Sequence, residues 1–365
     1  MKWQEELKCN ITTADQLAGY LPLSSEEIDD INHIIREYPM SIPRYYLGLI
    51  DGEDPDDPIR KLCVPAVTES MRGGSLDTSG ELQNTKIEGL QHKYGQTALI
   101  LSTHLCAMYC RHCFRKRLVG MNESENARRF DDIVQYIAEH EEIDNVLISG
   151  GDAFMNSNRM LEKYLQKLTA IEHVKLIRFG SRTPVVMPSR ISSDQEFLDI
   201  LYHYGQKVQI YVVTQFNHPR ELTPEAREAI DMLLARKIII SNQTVLLNAV
   251  NDDPATLAQL MNELTHCSIV PYYLFQCRPV TGVLDQFQVP LLRSCDIVRE
   301  AQAMLNGHAK RFRYIMSHVT GKIEIIGRKD DTVLFKYHQA AHEKDNGRMF
   351  AIKPSRDQCW LPDAI

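Results

Sequence analysis

Beyond residue 97 the chain alternates between two textures. Short runs of β-branched and other apolar residues occur at 97–102, 145–149, 175–180, 209–214, 238–241 and 272–275. Between them lie longer stretches, at 127–140, 157–170, 193–203, 223–236 and 254–265, whose apolar residues recur at helical spacing. The short runs are apolar without strict alternation. That is the pattern of strands covered on both faces, and so of parallel strands with helices packed over them. Six such units predict an α/β fold, a partial TIM-like (β/α)6 barrel. Further strand-like runs at 313–318, 322–326 and 332–336 predict a short C-terminal extension.

Upstream, residues 1–90 look helical and rich in loops. Thr12-Thr13-Ala14-Asp15 and Ser24-Ser25-Glu26-Glu27 resemble helix starts with acidic first turns. Asp51-Gly-Glu-Asp-Pro-Asp-Asp-Pro58 is a turn-rich break. The expected divisions are a helical N-terminal extension over 1–90, the barrel over 91–320 and the C-terminal extension over 321–365. No internal repeat or low-complexity segment interrupts them.

Composition narrows the class without naming a function. A chain of 365 residues, 44% hydrophobic and 24% charged, has ample apolar content for a large core. A net charge of −7 gives no reason to expect a nucleic-acid or anionic-membrane partner. The start, Met1-Lys-Trp-Gln-Glu-Glu-Leu, lacks a signal-peptide core, and no apolar run approaches membrane-spanning length. Nine unevenly scattered cysteines do not read as a disulfide framework, so a reducing cytoplasm is the expected setting.

In barrels of this kind the chemistry gathers at the C-terminal ends of the strands. Cys106-Ala-Met-Tyr-Cys110-Arg-His-Cys113 follows the first expected strand, and Ser149-Gly150-Gly151-Asp152 follows the second. Ser181-Arg-Thr-Pro follows the third and Gln215-Phe-Asn-His the fourth. Gln243 lies just past the fifth, and Gln276-Cys-Arg278 ends the sixth. Three thiolates on one loop can hold three irons of a [4Fe–4S] cluster and leave the fourth iron open. Clusters held entirely by protein need four such ligands, and structural zinc sites also close with four. Taken alone, the cysteines also admit a packed group of buried thiols, or a zinc site that borrows His104 or His112. Gly150 and Gly151 allow close backbone approach and a tight turn, as a plain strand-to-helix turn would.

The C-x3-C-x2-C spacing, with His112 just before the last cysteine, resembles the radical S-adenosylmethionine (radical SAM) superfamily. There the amino and carboxylate groups of SAM chelate the open iron, and one electron cleaves SAM to a 5′-deoxyadenosyl radical. Six further segments narrow the resemblance: Gly89-Leu-Gln-His-Lys-Tyr94, Met108-Tyr-Cys-Arg-His-Cys-Phe-Arg115, Gly180-Ser-Arg-Thr-Pro-Val-Val, Phe216-Asn-His-Pro, Asn242-Gln-Thr-Val-Leu-Leu and Pro271-Tyr-Tyr-Leu-Phe-Gln-Cys277. Together, over about residues 40–325, they resemble the lysine 2,3-aminomutase family. Its members use SAM, the cluster and pyridoxal 5′-phosphate (PLP) to move an α-amino group to the β-carbon. The resemblance therefore implies an isomerase on a radical SAM barrel.

It also implies roles for single residues. Cys106, Cys110 and Cys113 match the cluster ligands. Gly150, Gly151 and Asp152 match the glycine-rich segment that meets the methionyl amine of SAM. Gln215 and Gln243 match SAM contacts, with Gln215 in place of the histidine of lysine mutases. PLP needs a lysine to bond, and Thr320-Gly321-Lys322 stands at the family's place for it. Lys93, Tyr94 and His112 match holders of the PLP phosphate, while Thr97 stands where an arginine commonly helps. Arg115 matches the arginine that pairs with the substrate α-carboxylate, a task suited to a planar guanidinium. Lys116 and Arg117 beyond it are also open to reading as a solvated basic run.

Two departures bear on the substrate. Lysine mutases carry an aspartate just after the cysteine matched by Cys277, and a second shortly before the PLP lysine. This chain has Arg278 at the first place, and Ile315-Met-Ser317-His318 offers no carboxylate at the second. A cationic pocket rejects a cationic side chain, so the expected substrate is glutamate or aspartate and not lysine. The alternative is a PLP-independent radical SAM enzyme that modifies a peptide or another amino-acid-containing molecule. The resemblance further implies a reductant such as flavodoxin or ferredoxin and a homo-oligomer. The family's C-terminal zinc site needs closely spaced cysteines, and with only Cys359 there no zinc is expected.

Overall fold

A computed structural model describes residues 2–121 and 129–363. Twelve strands form one sheet in chain order: β1 (Thr85–Ile87), β2 (Leu90–Tyr94), β3 (Thr97–Thr103), β4 (Asn145–Gly150), β5 (Leu176–Gly180), β6 (Gln209–Thr214), β7 (Ile239–Leu246), β8 (Val270–Gln276), β9 (Arg313–His318), β10 (Gly321–Lys329), β11 (Thr332–Ala340) and β12 (Met349–Ile352). From β3 to β9 every neighbouring pair is parallel. The hairpin β1–β2 joins antiparallel at one side and β10–β12 at the other. β1 and β12 are free edges, so the barrel stays open.

The parallel part is the expected series of six strand–helix units, closed by the seventh strand β9. Its connecting helices are Phe130–Glu139, Asn158–Leu168, Gln195–Tyr204, Pro224–Leu234, Pro254–His266 and Leu291–Ala303. Residues 127 and 128 of the first expected helix lie outside the described residues. Alternate strand residues decide which side is core. Val146, Ile148, Ile177, Phe179, Ile210 and Val212 are fully buried, as are Leu161, Leu165, Leu198, Leu201 and Ile230 on the helices. The residues between them on the strands, Leu147, Arg178 and Val213 among them, line the barrel interior instead. Period-two alternation thus separates a packed outer layer from a working interior.

Both expected helix starts in the N-terminal region carry capping boxes. Thr13 Oγ1 accepts from the Gln16 amide at 3.3 Å and Ser24 Oγ from that of Glu27 at 3.2 Å. The region also supplies β1 and the first residue of β2, which its helical reading did not foresee. Backbone pairing continues across 90/91 and across 320/321, because β2 pairs with β3 and β9 with β10. One placement differs: β7 runs to Leu246, so Gln243 lies inside the fifth parallel strand and not past it.

Candidate active site

The interior opens into a cavity of about 350 Å3 at the C-terminal ends of the parallel strands. All fourteen residues singled out in the sequence line it: Lys93, Tyr94, Cys106, Cys110, His112, Cys113, Arg115, Gly150, Gly151, Asp152, Gln215, Gln243, Arg278 and Lys322. Chain segments from residue 93 to residue 322 converge there: most follow or end a strand, while Gln243 lies within β7 and Lys322 near the start of β10.

The three cysteines of the β3 loop are unbridged and share the cavity wall. Among the described residues no three His, Cys, Asp or Glu side chains converge on a single-ion site. Neither His104 nor His112 completes a zinc site with these thiols. Thiols spread over one wall suit a polynuclear cluster, whose ligands bind separate irons. Burial pushes the Cys113 thiol up to about 11 and that of Cys106 well above its ordinary value. A bound cluster's positive charge would have to favour the thiolates. Cys110 already has a cationic neighbour, since Arg182 Nη1 donates to its sulfur at 2.6 Å.

The loop after β4 lies directly against this one. The amide of Gly151 donates to Thr103 O at 2.5 Å and that of Asp152 to Leu105 O at 2.8 Å. Gly150 has φ +118°, and a Cβ there would stand 2.3 Å from Thr103 O; one on Gly151 would stand 2.3 Å from Leu105 O. Only glycine fits either place. Asp152 is spent within the scaffold: Oδ1 accepts from the Phe154 amide and Oδ2 from that of Arg182. It ties the β4 loop to the β5 loop and has little left for a ligand.

His112 keeps different company from that expected of a phosphate ligand. Its Nε2 lies 3.1 Å from Gln215 Oε1 and 3.2 Å from Asn217 Nδ2, while its Nδ1 is buried without a partner. Burial lowers its pKa to about 3, so the ring is neutral and brings no positive charge. Gln215, joined to this ring, faces the cavity from just past β6, and Gln243 from within β7.

Arg115 is fixed by an ion pair that the sequence did not announce. Nε donates to Glu81 Oε1 at 2.8 Å, and Nη1 to Ser149 Oγ and Gly150 O at 3.1 and 3.4 Å. Arg117 meets the other oxygen of Glu81 at 3.1 Å. Lys116 is buried against Glu69, which also carries Arg111. The solvated reading of Lys116 and Arg117 is therefore wrong: both turn inward to glutamates from the N-terminal region.

Lys322, the second residue of β10, faces the same cavity. Its Nζ donates to Gln339 Oε1 at 3.1 Å and lies 5.0 Å from the Tyr94 ring centre and 5.5 Å from that of Tyr273. Burial, then the charges of Arg178, Lys93 and Arg278, lower its pKa to about 7. A lysine so placed is substantially a free amine at neutral pH, the form that attacks an aldehyde. Lys93 Nζ donates to Ser79 O and His318 O, each at 3.0 Å.

Arg278, at the end of β8, lies with its guanidinium 4.2 Å from the Phe114 ring centre. Nη2 donates to Ser317 Oγ at 2.8 Å; Nη1 is buried with no partner. Two carboxylates line the cavity, Glu81 and Asp152, and both are engaged as described. Two lining arginines escaped the sequence reading. Arg178 carried a legible signal, a lone charge inside the apolar run of β5. Arg182 sat in a quoted motif but gave no sign that it would reach Cys110.

Comparison with known proteins bears on the family. The model of the Radical SAM superfamily matches residues 100–261. A putative L-lysine 2,3-aminomutase of Aquifex aeolicus is 38% identical over 343 residues, which cover 93% of this chain and 91% of that one. The L-lysine 2,3-aminomutase of Clostridium subterminale is 36% identical over 309 residues, 84% of this chain and 73% of that one. The glutamate 2,3-aminomutase of Clostridioides difficile is 38% identical over 283 residues, 77% and 65% respectively. A family of isomerases, it implies a [4Fe–4S] cluster and SAM at the cysteine loop. On the cavity and on these relatives, the chain belongs to the lysine 2,3-aminomutase family of radical SAM enzymes.

Proposed function

We propose that this aminomutase uses PLP as well as SAM and converts an acidic α-amino acid, glutamate or aspartate, to its β-isomer. The observation that carries the substrate assignment is Arg278. Arg278, half-buried, lines a cavity whose two carboxylates are already engaged, and among the described residues its buried Nη1 has no acceptor. A buried donor without an acceptor costs about 1–3 kcal/mol, and a carboxylate would remove that cost. A lysine side chain would bring an ammonium into a wall of cations with no free carboxylate to meet it.

The residues fit PLP on their own chemistry. Lys322 is a buried amine with a lowered pKa, set between two tyrosine rings and near three further cations. When bound, PLP would delocalise electrons next to the migrating nitrogen, while SAM and the cluster would supply the hydrogen-abstracting radical. This chain's own residues bind and orient. Arg278 takes the distal carboxylate, with Ser317 and the Phe114 ring fixing its plane. Arg115 takes the α-carboxylate through the Nη2 edge that its ties to Glu81, Ser149 and Gly150 leave over. Gly150 and Gly151 bring backbone to the place where SAM docks beside the cysteines.

The PLP-free reading draws support from Thr97, which brings no charge to the lower cavity. It leaves the lowered pKa of Lys322 without a purpose. Anaerobic protein treated with borohydride and mapped by peptide should carry a pyridoxyl label on Lys322. A label elsewhere, or no retained PLP, would refute the assignment.

A further inference from the structure

We propose that Arg178 receives the phosphate of PLP, held in place by Asn145; this rests on the PLP reading above. The residue sits in β5 between Ile177 and Phe179, both fully buried against the outer layer. Alternation turns Arg178 the other way, into the cavity. Among the described residues its one side-chain hydrogen bond runs from Nε to Asn145 Oδ1 at 2.8 Å. Asn145 Nδ2 in turn donates to Thr97 Oγ1 at 2.8 Å. The relay β5–β4–β3 is uncharged, so it orients the guanidinium without neutralising it. Among the described residues Arg178 forms no ion pair, Asp144 acting on it only as a more distant charge, and neither Nη nitrogen meets a protein acceptor. An arginine held this way presents the planar two-nitrogen edge that grips a phosphate.

Position along the barrel decides between phosphate and substrate carboxylate. Arg178 is in register with Leu147 of β4, three residues before Gly150. At the rise of a parallel strand that places it about 10 Å below the glycine loop and the cysteines. Arg115 and Arg278 belong to the upper level, Arg115 through its bonds to Ser149 and Gly150 at the end of β4 and Arg278 just past the end of β8. Lys322 lies between: its Nζ approaches Tyr94, which pairs with Thr97 at the lower end of β3. A PLP bonded there must turn its reacting side up towards SAM, which sends the phosphate down. Lys93 Nζ is already bonded to two carbonyl oxygens, one of them His318 O at the C-terminal end of β9, whereas Arg178 has its outer edge free.

The test compares PLP with pyridoxal, which lacks the phosphate, by absorbance titration of cluster-loaded protein stripped of PLP. Arg178→Met should weaken PLP at least tenfold while changing pyridoxal less than threefold. Arg178→Lys should fall between, and Asn145→Ala should move in the same direction as Arg178→Met by a smaller factor. Inorganic phosphate should protect wild type, and not Arg178→Met, against PLP uptake. Unchanged PLP affinity in Arg178→Met, or equal loss of PLP and pyridoxal, overturns this assignment alone. Failure of wild type to take up either ligand overturns the PLP reading, and this assignment with it.

Discussion

Arg182 Nη1 lies 2.6 Å from the sulfur of Cys110, and the same guanidinium meets the fully buried carboxylate of Glu221 through Nη2, also at 2.6 Å. Glu221 in turn accepts from Tyr46 Oη and from the amides of Asn217 and His218. One arginine therefore joins the sulfur of Cys110, which we propose as a cluster ligand, to a buried network under the β6 loop. Hydrogen bonds to cluster sulfurs raise the reduction potential. Arg182→Gln should shift the cluster midpoint negative, on the order of tens of millivolts. It should also cost about 3–5 kcal/mol of stability by leaving Glu221 unpaired. Redox titration monitored by EPR checks the first and denaturant unfolding the second. An unchanged midpoint would remove Arg182 from the cluster's surroundings.

The glycine loop gives a steric prediction. Gly150→Ala and Gly151→Ala each place a Cβ 2.3 Å from a backbone oxygen of the cysteine-bearing loop. The two loops must part, and the damage should fall on iron retention and SAM binding before it reaches the outer core. Iron content and equilibrium binding of SAM measure this. Full iron content with wild-type SAM affinity in both variants would show that the contact is not needed.

Lys322 sets a pH profile. Its amine must be neutral to react, and burial with three neighbouring cations holds its pKa near 7, below the ordinary lysine value of 10.5. The rate of PLP capture should rise with pH up to an inflection near 7 and level off above it. Arg278→Met removes one of those cations and should move the inflection upward. Stopped-flow absorbance over pH 6–10 measures both. A rate still climbing at pH 10 would mean that Lys322 is an ordinary, solvated lysine.

Much of this architecture was legible in the sequence, for identifiable reasons. The outward residues of each parallel strand are apolar, and the helices between them keep helical spacing, so the six-unit barrel follows from patterning. The rule that chemistry collects at strand ends pointed to the motif positions, while the roles of Lys93, Tyr94, Arg115 and Lys322 came only from the family resemblance. What escaped depended on distance in sequence. Glu69 and Glu81 look like ordinary polar residues in a loop-rich region. Their ion pairs with Lys116, Arg111 and Arg115 span 30 to 50 positions and have no local signature. His112 was read as a phosphate ligand by motif position; complete burial beside Gln215 makes it neutral. The strand β12 is short, edge-placed and partly exposed, so patterning is weakest there.

Arg278 yields the specificity prediction. Arg278→Ala should raise KM for the acidic substrate by about tenfold to a hundredfold, the value of a charged hydrogen bond of roughly 1.5–3 kcal/mol. Arg278→Asp should admit some lysine. Steady-state kinetics on both variants check this, and a KM unaffected by the alanine would take Arg278 out of the substrate site.

The central claim is that the aminomutase acts on an acidic amino acid. Anaerobic, cluster-loaded wild-type protein with SAM, PLP and a reductant should be offered glutamate, aspartate and lysine, and the β-amino acid products quantified. The expected result is SAM- and PLP-dependent β-isomer from glutamate or aspartate, with lysine turned over more slowly than the better acid. Faster turnover of lysine than of either acid would contradict it.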